Sequence, residues 1–143
     1  MTLDQSLIIK KLELIEQYRA ELARFLEFPD KDILLSSEKY LSIERVFQLV
    51  VDAMIDINQH LIRELKLGIP DDLQSTFYPL GDEGVLPQGF AQKLAPIVGV
   101  RNRLVHQYEE LDKKLFLKNL RKNFSDLETY KKYVKEYLSE KLA

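Results

Sequence analysis

Hydrophobic residues recur at three- and four-residue spacing along most of the chain, which is the period of an amphipathic α-helix. The first such segment runs from Leu3 to Phe28, and we expect it to stop before Pro29 because proline cannot continue a helix. Its apolar positions are Leu7, Ile8, Leu12, Ile15, Leu22, Phe25 and Leu26. The pattern predicts a long N-terminal helix with one buried face.

A second apolar stripe follows, with Asp30 or Asp32 as its candidate N-terminal cap and Gly68 as its C-terminal stop. The stripe is unusually wide and contains Ile43, Val46, Phe47, Val50, Val51, Met54, Ile55, Ile57, Leu61 and Ile62. Such a width predicts a central helix that buries two sides in its own core, or one side there and the other against a second subunit.

Helix breakers are concentrated between Gly68 and Gln88, which we expect to form a loop with one short helix. Helical spacing resumes at Gly89, and Pro96 should kink or restart that helix. A final helix is predicted from about Lys113 to Leu142. No strand-like alternation is present, so the prediction is a single all-α domain over residues 1–143, built as a bundle of four to five helices.

Three tyrosines, Tyr130, Tyr133 and Tyr137, lie at helical spacing on the final helix. Aromatic residues in such a pattern usually pack against a core or a neighbouring helix. We therefore interpret them as packing residues and not as a platform for stacked bases.

The amino-acid composition limits the kinds of functional site that the protein can contain. The 143 residues are 45% hydrophobic and 31% charged, and no apolar run or leader-like start predicts a membrane span or secretion, so we expect a cytoplasmic protein. The absence of cysteine excludes disulfides, thiolate nucleophiles and cysteine-zinc sites. With only His60 and His106 as imidazoles, chemistry without a metal or cofactor, or a pure binding role, is favoured.

The net charge of −2 conceals a gradient, because residues 113–143 carry 9 Lys/Arg against 4 Asp/Glu. Lys118, Arg121 and Lys122 of this segment could extend a path for the phosphates of an RNA. A docking face for an acidic partner, or a simple solvated helix face, fits the same pattern.

The segment from Val100 to Tyr108 (VRNRLVHQY) combines polar residues able to act on a phosphate. Asn102 and His106 lie one helical turn apart, so the amide can orient the imidazole. Arg101 and His106 are five residues apart, about 140° around the helix axis, and do not converge in a straight helix. Either the helix ends near His106, or a second copy of the chain completes the site across a symmetric dimer.

These residue types suit RNA cleavage. Histidine can act as general base and general acid because its pKa near 6.5 leaves both protonation states available. Arginine supplies a permanently charged, planar guanidinium near the phosphorus, where negative charge accumulates in the transition state. The transition state can therefore be stabilised without a metal ion. Arg101 and His106 are the candidate catalytic pair, with Asn102 in support; Arg103 could bind phosphate or face solvent.

Arg101, four residues, His106, one residue and Tyr108 form a pattern that resembles the hallmark of the HEPN family, most closely its bacterial HepT-type toxins. The polar Asn102 directly after the arginine is also common there. Beyond this motif, the stretches at 40–45, 56–60 and 84–86 are similar to the family's layout, so the resemblance covers nearly the whole chain.

The resemblance implies a metal-independent endoribonuclease toxin with its site at a homodimer interface. It further implies a paired minimal nucleotidyltransferase (MNT) antitoxin that transfers AMP from ATP to the motif tyrosine, Tyr108. An adenylate there would repel RNA phosphates and block entry near His106. Without AMP, Tyr108 could contact RNA.

Two alternatives remain open. The chain could be a non-catalytic helical module that docks a nucleotidyltransferase or holds a nucleotide. A weaker alternative is a metal-assisted enzyme that uses Asp56 and His60, although His60 is more readily interpreted as a surface or interface residue.

Overall fold

The computed structural model describes residues 5–106 and 112–142, except for the side chains of His106 and Leu142. These ranges contain helices and turns but no strand, which confirms the all-α prediction. The helices are α1 (Gln5–Phe25), α2 (Asp30–Leu35), α3 (Ser37–Glu64), α4 (Phe77–Glu83), α5 (Gln88–Leu94), α6 (Ile97–His106), α7 (Lys113–Asn123) and α8 (Ser125–Leu142), with a 3₁₀ turn at Gln74–Thr76. The bundle is thus divided more finely than four or five long helices. None of the described helices has the length and apolar character that a membrane span requires.

Helix α1 buries the expected stripe, with Ile8, Leu12, Ile15 and Leu22 in the core. Its C-terminal boundary differs from the prediction, because the helix ends at Phe25 and the chain turns before it reaches Pro29. The turn at 26–28 leads directly into α2, so the corner between α1 and α2 is tight.

The long second helix of the prediction is split at Ser36. This residue has an extended backbone (φ −116°, ψ 104°), and its hydroxyl accepts a hydrogen bond from the Lys39 amide at 3.2 Å, which caps α3. The prediction that Asp30 or Asp32 caps the helix was wrong, because α2 begins after Pro29 without any side-chain cap. Asp30 instead accepts a hydrogen bond from Arg121 of α7.

Helix α3 is the central helix and contacts α1, α2, α4, α6 and the 3₁₀ turn. Val51, Ile55 and Ile62, which widen its stripe, are buried within the chain itself, so the first of the two predicted arrangements holds for the described structure. The helix ends at Glu64, four residues before Gly68. Lys66 takes the left-handed position (φ 56°), and the Leu67 amide donates back to the Ile62 carbonyl at 2.9 Å.

Two further breaks shape the second half of the chain. Pro96 follows α5, and α6 restarts immediately after it, as predicted. The expected C-terminal helix is divided at Phe124 into α7 and α8, although Phe124 keeps helical dihedral angles (φ −56°, ψ −39°). No proline or glycine marks this second break, so periodicity alone could not reveal it.

A buried hydrogen-bond network ties α8 to α3 and to the 3₁₀ turn. The Tyr130 hydroxyl lies 2.7 Å from Asn58 Oδ1, and Asn58 Nδ2 donates to the Thr76 hydroxyl at 3.1 Å. Burial raises the pKa of Tyr130 well above its ordinary value, so its hydroxyl stays protonated and remains a donor. Tyr137 is also buried, and Tyr133 packs edge-on against Phe90, which confirms that the tyrosine stripe is used for packing.

We expect Tyr130→Phe to lower the free energy of unfolding by about 1–3 kcal/mol, because the substitution leaves the buried Asn58 oxygen without its donor. Urea titrations followed by circular dichroism measure this change. Tyr133→Phe is the matched control, since the Tyr133 hydroxyl has no hydrogen-bond partner among the described residues. Equal effects of the two substitutions would contradict the importance of the network.

A cluster of charged side chains joins α1 to α8 at the surface. Glu16 accepts hydrogen bonds from Arg19 and Lys131, and Lys131 also pairs with Glu128 at 3.0 Å. The hydrogen bond from Arg19, followed by that from Lys131, lowers the pKa of Glu16 to about 2. The pKa of Glu16 is lower in the folded state than in the unfolded state. The stabilisation from its carboxylate is therefore complete above about pH 4.5 and is lost as the pH falls towards 2.

Glu16→Gln should therefore destabilise the protein at pH 7 by at most about 1 kcal/mol, the usual scale for a solvent-screened ion pair. The difference from the wild-type protein should shrink as the pH is lowered from 4.5 to 2. Denaturant titrations across this range test the expectation, with the exposed Glu13→Gln as control. A pH-independent difference would contradict the ion-pair explanation.

Candidate functional site

Arg101 lies on α6 and reaches across to α3. Val98 and Leu104, each about 60° around the helix axis from Arg101, are buried in the core and fix α6 against its neighbours. The Arg101 Nε donates to Asp52 Oδ1 at 2.8 Å, and Nη1 donates to Asn102 Oδ1 at 2.9 Å. These two hydrogen bonds hold the guanidinium in place, and the side chain as a whole is 21% exposed.

Asn102 uses its carbonyl oxygen to accept from Arg101. Its Nδ2 group is the donor left for any contact with His106, one turn further along the helix. Asn102 also borders an open groove of about 480 Å³ that is lined by Gln59, Pro70, Asp71, Asp72, Leu73 and Gln74. The residue therefore connects Arg101 to a concave surface.

Arg103 and Val105 lie on the exposed part of α6. Arg103 has no hydrogen-bond or ion-pair partner among the described residues, and it lies about 200° around the axis from Arg101. Val105, one turn after Arg101, is 43% exposed. The exposed charge of Arg103 and the exposed apolar surface of Val105 thus lie on nearly opposite sides of α6.

The two other motif residues are only partly covered by the structure. His106 is the last described residue of α6, and its side chain lies outside the described residues. Tyr108 lies outside them altogether. The contacts expected for the imidazole and for the tyrosine hydroxyl remain predictions.

Asp52 is the residue near Arg101 that the sequence analysis missed. It occupies a polar position between Val51 and Ala53, which are both buried. An acidic residue inside such an apolar run was the available signal, but nothing in the spacing linked it to an arginine 49 positions later. Its relevance comes from the packing of α6 against α3.

The alternative metal site gains no support from the described geometry. Asp56 pairs with Lys11 at 2.9 Å. His60 is 7% exposed, so the expectation of a surface position was wrong. Across residues 5–106 and 112–142, no group of three or more histidine and carboxylate side chains is arranged to hold a metal ion.

One arginine of the basic C-terminal segment, residues 113–143, is used in contacts that hold the fold together. Arg121 donates from Nε to Asp30 and from Nη1 and Nη2 to the carbonyls of Leu26 and Phe28, all within 2.8 Å. The proposed role of Arg121 in an RNA path is therefore not supported. Lys118 and Lys122 are exposed on α7 and keep that possibility.

Comparison with curated proteins identifies two relatives with assigned activities. The chain is 40% identical over 113 residues to the tRNA nuclease HepT of Aphanizomenon flos-aquae (strain 2012/KM1/D3), an alignment that covers 78% of this chain and 77% of the relative. It is 29% identical over 100 residues to the mRNA nuclease HepT of Shewanella oneidensis, covering 70% and 72%. Both relatives are nucleases that act on RNA.

A solved structure shares the fold. The tri-AMPylated Shewanella oneidensis HEPN toxin, determined in complex with an MNT antitoxin, superposes with a TM-score of 0.85 at 25% identity and covers 91% of this chain and 97% of its own. The family model described as Ribonuclease HepT-like matches residues 8–134. This match spans most of the chain, including the segment from Arg101 to Tyr108, and the protein belongs to the HepT-like ribonuclease family.

Proposed function

We propose that this protein is the toxin of a toxin-antitoxin pair and acts in the cytoplasm as a metal-independent endoribonuclease. Membership of the HepT-like ribonuclease family and the RNA-cleaving activity of the two curated relatives support this proposal. The observation that carries it is the side chain of Arg101, which is 21% exposed and whose guanidinium is oriented by two hydrogen bonds on the helix that also bears His106.

The chemistry follows from the two side chains. A neutral His106 imidazole takes the proton of a ribose 2′-hydroxyl, and the 2′-oxygen attacks the adjacent phosphorus. A second, protonated imidazole gives its proton to the departing 5′-oxygen, which leaves a 2′,3′-cyclic phosphate and a free 5′-hydroxyl. Arg101 balances the negative charge that builds on the phosphate oxygens during attack.

A homodimer supplies the second imidazole. Arg101 and His106 lie about 140° apart on α6, so one helix does not bring both to the same phosphate. Two copies related by a twofold axis can contribute one pair each. The exposed Val105 provides apolar surface beside the motif for such a contact.

Neutralisation by an MNT antitoxin completes the proposal. The Shewanella toxin of similar fold is tri-AMPylated and bound to an MNT antitoxin. In this chain Tyr108 is the proposed acceptor: its hydroxyl attacks the α-phosphorus of ATP, and pyrophosphate leaves. The attached adenylates place negative charge and bulk two residues from His106, where an RNA phosphate must enter.

We expect Arg101→Ala and His106→Ala each to lower the RNA cleavage rate by about 100-fold or more and to abolish growth toxicity. Purified protein is incubated with bulk transfer RNA and with a messenger transcript, with and without EDTA. The wild-type activity should survive chelation.

Arg24→Ala is the matched control, because Arg24 is exposed on α1 and distant in sequence from the motif. Each variant should keep the wild-type helical content and oligomeric mass. Cleavage by either motif variant at the wild-type rate would refute the assigned roles, and loss of wild-type activity in EDTA would refute metal independence.

Tyr108→Phe should prevent AMP transfer by the cognate nucleotidyltransferase in the presence of ATP. Intact-mass spectrometry measures the gain of one or more AMP units on the wild-type protein. Tyr78→Phe, which alters a tyrosine 39% exposed on α4, should still be modified. A mass gain on the Tyr108→Phe protein would overturn the choice of acceptor.

A further inference from the structure

We propose that Asp52 is a positioning residue that sets the orientation of Arg101 for catalysis, an inference that rests on the proposed ribonuclease function. Asp52 belongs to α3 and Arg101 to α6, and the 2.8 Å contact between Asp52 Oδ1 and Arg101 Nε joins the two helices. No residue of the motif segment supplies this contact.

The two hydrogen bonds of Arg101 define which part of its guanidinium stays available. Nε donates to Asp52 and Nη1 donates to Asn102, while Nη2 donates to no described residue. Because the guanidinium is planar, two bonds from different nitrogens fix the plane as well as the position of the group. The remaining N–H groups at the Nη1 and Nη2 end can face a phosphate oxygen.

The position of Asp52 is itself set by the core. Val50 and Val51 on one side of it in sequence, and Ala53 and Met54 on the other, are all buried. The same helix is held from α8 by the hydrogen bond between Tyr130 and Asn58. A carboxylate carried by such a rigid helix orients a partner more accurately than one carried by a loop.

A contribution to folding stability does not by itself explain the contact between Asp52 and Arg101. The Asp52 side chain is 39% exposed, and ion pairs of this exposure contribute little to folding because solvent screens them. Displacement of a catalytic group by about 1 Å, in contrast, can slow a reaction on the order of 100-fold. A structural role and a positioning role therefore differ in the size of their effects on activity and on stability.

Two substitutions of Asp52 distinguish its role in orienting Arg101 from the effect of its negative charge. Asp52→Ala removes the acceptor, whereas Asp52→Asn removes the negative charge and one of the two oxygens but keeps an amide oxygen that can accept from Nε. If orientation is the function, Asp52→Asn should retain cleavage within about 3-fold of the wild-type rate. Asp52→Ala should lose about 10- to 100-fold.

The chain offers a matched control on the same helix. Asp56, one turn after Asp52, pairs with Lys11 of α1 at 2.9 Å, and its side chain is 48% exposed. Asp56→Ala thus breaks an interhelical ion pair of similar length and exposure that does not involve the motif. It should leave cleavage within 2-fold of the wild type.

The experiment measures kcat and KM of the four full-length proteins on the RNA that the wild-type protein cleaves, together with their melting temperatures. We expect the loss in Asp52→Ala to appear in kcat, with KM changed less than about 3-fold and a melting temperature similar to that of Asp56→Ala. A second measurement follows the Arg101 Nε–H signal by NMR, assigned through Arg101→Lys. This signal should shift in Asp52→Ala and stay in place in Asp56→Ala.

Three outcomes would overturn the inference: cleavage by Asp52→Ala within 2-fold of the wild type, an equal loss in Asp56→Ala, or an Arg101 Nε–H signal that Asp52→Ala leaves unchanged. These outcomes differ from failure of the proposed function, which would show as no RNA cleavage by the wild-type protein. In that event the positioning role falls together with the function.

Discussion

The burial of α3 constrains the rest of the structure. Of its 28 residues, 14 are buried, so other helices must cover it on several sides and polar side chains on it need defined partners. Asn58 meets this requirement through Tyr130 and Thr76, and the half-exposed Asp52 meets it through Arg101. The central helix is therefore both the core of the bundle and the support of the candidate site.

The periodicity of the apolar residues and the positions of proline and glycine were sufficient to predict the all-α class, because most apolar side chains on the helical stripes are buried in the core. The restart of the helix after Pro96 has a local cause that the sequence displays. The break at Ser36 depends on a hydroxyl that caps α3, and the break at Phe124 has no breaker residue, so neither can be recognised from apolar spacing. The end of α3 is similar, since Lys66 and not Gly68 takes the first left-handed position.

The candidate site could be predicted only in part from the sequence, for a related reason. Arg101 and Asn102 are neighbours in the motif, and their local hydrogen bond is consistent with that proximity. Asp52 enters the site through tertiary packing, and the same holds for the contacts that occupy Arg121. A charged residue in a sequence pattern shows what it can bind, whereas the fold determines whether its donors are already in use.

The capping and anchoring of α7 have a consequence for the two helices on either side of residues 107–111. Asp112 caps α7 by accepting from the Leu115 amide at 3.1 Å, and Arg121 anchors the same helix to the corner between α1 and α2. On the other side, the buried side chains of Val98 and Leu104 hold α6 in the core. The helices before and after residues 107–111 are thus held in the bundle by separate contacts, α6 with α3 and α7 with the corner between α1 and α2.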